Sequence, residues 1–356
     1  DLTVTGAIAG GPTVLLSQTG VLTLTGRIGA QAVTLAADAL QLGGTISAAG
    51  SLQLVSLGNV VQSGSLATGL LTVTAAGSVQ LDGTDTIAVL GNVAAPNGLT
   101  LRNLGDLLVQ GQVVAGAAAD LATTGNLTVA GPVTAAGVAL AGESVTVQGA
   151  VAASGPLAVT ATGGDVVVTG TLSGAPGADP LTASSADPLT VRASGNLRLS
   201  GTVSGGLVSL AAGLDLVSNG RINATALGIT AGDALMLGGS TGATNATLQS
   251  GGDTVLSGTL TAGPLALTAG GNLAVTGMVA AGAWTGAAGG AVTLAGAMTA
   301  DRASLSAGAG LLLSGDLQSN AVTLNAGGDL FALGTLSTGL LNGRAGGSVA
   351  VTGDIR

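Results

Sequence analysis

AGGNLAVTGMVAAG, residues 269–282, carries the pattern from which the architecture can be read. Leu273 and Val275 alternate with Ala274 and Thr276, and Val279 resumes the alternation beyond Gly277. A period of two marks a strand with one face turned inward. Nothing in the stretch is suited to acid–base chemistry, yet close relatives of it recur along the whole chain.

Taking the glycine that closes each such strand as an anchor gives Gly6, Gly26, Gly44, Gly64, Gly83, Gly111, Gly131, Gly149, Gly170, Gly201, Gly220, Gly238, Gly258, Gly277, Gly296, Gly315, Gly334 and Gly353. Of the 17 intervals, 15 are 18 to 21 residues, which establishes a repeat. Leu, Ile or Val stands four residues before the anchor, as in Leu2, Leu22, Leu40 and Val60, and two residues after it, as in Ile8, Ile28 and Ile46. Ala234 and Thr254 depart from the first rule, and Asp85 and Ser240 from the second. Another apolar packet follows each bend, as in TVLL at 13–16, LTV at 71–73 and VTL at 322–324.

A unit of about 19 residues cannot bury an apolar face alone, whereas stacked units build a continuous core. The pattern predicts an all-β parallel β-helix of about 18 coils, one repeat domain spanning 1–356. Leu24, Val129, Val147, Val168, Leu199, Val275, Leu294 and Leu313 are expected to point inward and stack as one ladder. Intervals of 28 and 31 residues predict side loops near 84–105 and 174–190. Helical repeats fit poorly, because glycine and β-branched residues penalise helix in every unit. A membrane β-barrel wants aromatic girdles, and the chain has one Trp and one Phe.

Five residues before the anchor stand short polar residues, among them Asp1, Asn59, Ser78, Asp106, Asn126, Asp215, Asp233, Asp253, Asn272, Asp329 and Ser348. Such side chains hydrogen-bond backbone at corners. Recurrent GGD also raises calcium, but Asn and Ser replace Asp freely and too few oxygens converge for a firm site. Trp284 is expected to fill the interior where other units carry Leu265 or Val322, and Phe331 falls on the outward phase. The segments 92–103 and 174–188 are candidate partner contacts.

Composition narrows the functional classes. Only 7% of residues are charged, with 17 acidic residues against 8 arginines and a net charge of −9. Without a basic stripe or stacking aromatics, nucleic-acid binding is not expected. Histidine and cysteine are absent, which removes histidine triads, thiolate metal sites and disulfides. No pair of carboxylates has a regular spacing suited to glycoside hydrolysis. The expectation is therefore a non-enzyme with no catalytic, cofactor or metal residues. Mean hydropathy is +0.68, yet polar residues and glycine interrupt every apolar run well short of a spanning helix.

The units GGDTVLSGTLTAGPLALTAG (251–270), GGNLAVTGMVAAG (270–282) and GGDLFALGTLSTG (327–339) resemble the shaft repeats of filamentous haemagglutinin-type exoproteins, secreted by two-partner systems. Ala95-Pro96-Asn97-Gly98 is similar to the NPNG-type motif of their secretion domains, with Ala in place of the first Asn. The resemblance implies a right-handed β-helical fibre at the bacterial surface or outside the cell. It further implies export through an outer-membrane transporter, and a shaft that holds an adhesive or toxic tip. Alternatives are an adhesin module that itself binds host or bacterial surface ligands, and a self-stacking filament or surface-layer component. Both ends lie inside the repeat, so an internal piece of a longer protein is expected, bordered by further coils or end-to-end copies.

Overall fold

The computed structural model describes residues 1–175 and 187–356. It is an all-β, right-handed parallel solenoid of about 18 coils with a repeat near 19 residues. Contacts divide it into two units, Asp1–Ala175 and Pro176–Arg356. The expected loop near 174–190 lies mostly outside the described residues.

In the first unit one column runs Leu2, Leu22, Leu40, Val60, Val79, Leu99, Ala119, Val138 and Leu157, each paired in parallel with the next. In the second unit Val208, Leu227, Ala246, Leu265, Trp284, Ala303 and Val322 form a column the same way. Three-residue strands such as Leu127–Val129 and Leu273–Val275 bury their first and third side chains. Longer strands such as Thr259–Ala269 turn a corner and bury the second packet on another wall. Stacking like on like buries each apolar column at little cost, because neighbours one coil apart have the same shape.

All eight residues expected inward are buried, with Leu24, Val129, Val147, Val168, Val275 and Leu294 fully so. They do not form one ladder. Leu24 pairs with Leu42, Gln62 follows, and the column continues through Leu81 and Leu101. Val129, Val147 and Val168 instead continue a column that starts at Val14, Val33, Leu52, Leu71, Leu90 and Val109.

The cause lies in the segment expected to loop out near 84–105. It is strand almost throughout: Val79–Ala95 is a single 17-residue strand and Leu99–Asn103 follows at once. Coil length barely changes, since Val60 pairs with Val79, Val79 with Leu99 and Leu99 with Ala119. What moves is the motif. The wall that carries the anchor strand in earlier coils (Leu40, Val60) carries the second packet afterwards (Val138, Leu157). The wall of the second packet (Leu52, Leu71) becomes the wall of the anchor strand (Val129, Val147). Extra sequence thus advances the pattern by one wall, because both walls accept the same apolar alternation and the backbone ladder tolerates no unpaired gap.

The anchor glycines form a column of direct backbone approach. A Cβ on Gly277 would run into the Gly258 carbonyl oxygen, and one on Gly258 into that of Gly239. The stacked residue after Gly220 is therefore Gly239, not the Gly238 inferred from the sequence, and the steps from Gly201 to Gly353 become a uniform 19. Gly228 is different, since a Cβ there would meet nothing within 4 Å. We expect Gly277→Ala to lose about 1–3 kcal/mol through overpacking. Gly228→Ala should be neutral or stabilise by up to about 1 kcal/mol through the unfolded chain. Urea midpoints of the two variants check this, and equal effects would refute the close-approach account.

Candidate functional site

The polar corner residues are joined from coil to coil. The Asn59 carboxamide oxygen accepts the Ser78 N–H at 2.9 Å, and the Asp106 carboxylate accepts the Asn126 N–H at 2.8 Å. In the second unit Asp215 accepts from Ala234 at 3.1 Å, Asp253 from Asn272 at 2.7 Å and Asn272 from Ala291 at 2.9 Å. Asp329 accepts from Ser348 at 2.7 Å. At each of these corners one side-chain oxygen satisfies a backbone N–H of the following coil, and either Asp or Asn can supply it. The preceding glycine has a matching cause: a Cβ on Gly271 would collide with the Asp253 carboxylate. Asp233 sits one residue ahead of this column, and it is the Ala234 N–H that donates to the Asp215 carboxylate. No group of three or more metal-ligating side chains occurs among the described residues.

A second polar feature is buried where the motif changes walls. Asp85 is fully buried, pairs with Asn103 and occupies the place that Leu66 holds one coil earlier. Its Oδ1 accepts the Leu66 N–H at 3.0 Å and the Gln62 side-chain N–H at 2.9 Å. Its Oδ2 is buried with no hydrogen-bond partner. Gln62, 1% exposed, uses its own oxygen to accept the Gly83 N–H at 3.1 Å. Asn103 accepts the Ile87 N–H at 2.7 Å. Burial pushes the Asp85 carboxyl up from the ordinary 3.8 to about 6; its two hydrogen bonds oppose the rise and nearby Asp82 adds to it. Sequence reading marked Asp85 only as a break in the apolar pattern. That break was the available signal, and Gln62 is a second one, standing two residues before Gly64 in the inward phase of Leu24 and Leu42; only register shows that the two meet.

Trp284 points inward as expected and is 1% exposed. It is stacked between Leu265 and Ala303, and Gly286 stands where the adjacent coils carry Leu267 and Leu305. The indole fills the volume which that missing side chain leaves: ring atoms lie 3.1 Å from where a Gly286 Cβ would be. Its N–H is buried without an acceptor. Phe331 lies outward at 37% exposure, between Leu312 and Ala350. Within 92–103, Val93, Ala95, Leu99, Leu101 and Asn103 are buried, and Asn92 accepts the Gln112 N–H at 2.9 Å. Of that candidate contact segment, only the outward residues of ordinary coils remain. Most of 174–188 lies outside the described residues.

The strands nearest residue 356 expose side chains whose equivalents are covered elsewhere. Leu340 is 64% exposed and Val349 60%, whereas Leu330, paired with Val349, is 3% exposed.

No protein-family model, curated protein or solved structure matches this chain.

The corner ladder separates two chemistries. If Asp253 serves as an acceptor for the next coil, Asp253→Asn should keep stability within about 0.5 kcal/mol, and Asp253→Ala should lose about 1 kcal/mol. Micromolar calcium should shift the melting of none of the three proteins. Calcium-dependent stabilisation that disappears in Asp253→Asn would overturn the capping account.

Proposed function

We propose that this chain is a structural shaft of a bacterial secreted or surface-exposed fibrous exoprotein, a non-catalytic spacer that holds a functional tip away from the cell. The observation that carries this reading is where the polar chemistry goes. The Asp and Asn side chains of the corner ladder, which could have faced a ligand, are bonded to the backbone of the next coil. The apolar chemistry goes the same way, into columns that run through successive coils. Side chains committed to joining one coil to the next supply stiffness along the stack and leave little for recognition. The repeat's resemblance to filamentous haemagglutinin-type shafts supports the extracellular setting and export by an outer-membrane transporter.

A self-stacking filament is the second reading, because columns that repeat coil on coil can continue from one copy of the chain into another. Strand edges over apolar side chains are a template for another coil. A second copy of the chain could supply that coil.

The test is to display the chain between a surface anchor and a small reporter-binding module, with the isolated chain as control. A shaft predicts reporter capture that survives deletion of one whole coil, residues 259–277, since the ladders close up in register. It also predicts that the isolated chain binds neither cells nor glycans. Saturable binding by the isolated chain would sink the shaft in favour of a ligand-binding adhesin. Light scattering that grows with concentration would favour the filament.

A further inference from the structure

The buried column at Asp85 supports an inference independent of the shaft reading. Elsewhere the interior of the first unit is built mainly from Leu, Val, Ile and Ala columns, and its other buried polar side chains, Ser56, Gln62, Thr68 and Asn103, are uncharged. Here a carboxyl group is enclosed between coils, with one oxygen taking two hydrogen bonds and the other taking none. An ionised carboxylate in that position leaves charge on an oxygen without a donor, which is costly in an apolar interior. A protonated one removes the charge while Oδ1 still accepts from Leu66 and Gln62.

Among the described residues no cation offsets the charge. The strands on the preceding side, Val60–Gln62 and Ser65–Ala75, carry no ionisable side chain. The strand of Asp85 itself adds a second acid, Asp82. On the following side Leu99–Asn103 contributes Arg102, which is paired with Asp120 at the surface. Leu107–Val109 and Val113–Ala115, which also pair with the Asp85 strand, carry none.

We propose that Asp85, clasped by Gln62 and the Leu66 backbone, makes the junction between Ser65–Ala75 and Val79–Ala95 a proton-controlled seam, closed when the carboxyl is neutral and loosened when it ionises. The direction follows from linkage. The folded group holds its proton up to about pH 6 and the unfolded group only to 3.8. The stabilisation is complete below the lower value and is lost as pH rises through the upper one. A separation of about two pH units corresponds to about 100-fold in the closing equilibrium.

The test is amide hydrogen exchange on the intact chain near pH 5 and near pH 7.5, corrected for intrinsic exchange. Opening of the peptides covering Gln62–Leu71 and Gly83–Leu90 should rise by about 10-fold at the higher pH, since at pH 5 only about one of the two pH units of separation remains, while those covering Leu265–Val275 stay constant. In Asp85→Asn the carboxamide keeps the acceptor and carries no charge, so both regions should be protected equally at both pH values. Equal protection of the wild type at both pH values would overturn the seam. So would a pH effect that persists in Asp85→Asn or spreads evenly over all coils. Should that variant fail to fold, the regional pattern in the wild type still decides: a local change supports the proposal, and an absent or chain-wide one refutes it.

Discussion

Backbone hydrogen bonding between successive coils is the constraint that governs everything else in this chain. Neighbouring strands must lie about 4.8 Å apart, so each residue meets its counterpart one coil away at nearly fixed distance. Apolar side chains gain from this, because identical shapes nest and exclude water. Charged side chains lose, since like charges would be stacked at the same spacing. The chain's low charge and its Thr, Ser and Asn outward faces follow from that geometry. So does glycine at the anchor, where the carbonyl of the preceding coil occupies the space that a Cβ would need.

The same constraint explains how irregular sequence is absorbed. Twenty-eight residues separate Gly83 from Gly111, yet Val60, Val79, Leu99 and Ala119 remain stacked. A gap in the ladder would leave backbone donors and acceptors unpaired beside an apolar core, whereas shifting the motif by one wall keeps them paired. The shift has a local consequence: the place of Leu66 passes to Asp85, Asn103 and then Thr123 in successive coils. Gln62 and Asn103 bond the backbone there, and Asp85 adds the one buried carboxylate oxygen that lacks a partner among the described residues.

Volume is conserved by a comparable exchange around Trp284. The large indole and Gly286 occupy the space given to two leucines, Leu265 and Leu267, one coil earlier. A single-column view of the sequence sees an outsized residue. The paired columns show a compensated one, at the expense of an indole N–H without an acceptor.

The order of residues alone was enough for the class of fold, the coil length, the inward phase of nearly every apolar residue and the polar corner. Each of these is a local pattern repeated many times, and repetition at a fixed period admits few packings. Phase alone also placed Trp284 inward and Phe331 outward. Which columns join was settled in three dimensions. Leu24 and Val129 occupy equivalent places in the motif and stand on different walls, because wall identity depends on the cumulative path of the chain around the coil. For the same reason Gly239 replaces Gly238 as the stacked glycine, and the long interval near 84–105 is strand. The meeting of Gln62 with Asp85, 23 residues on, belongs to this class: a contact between coils exists only once register is set, and register is a property of the closed ladder.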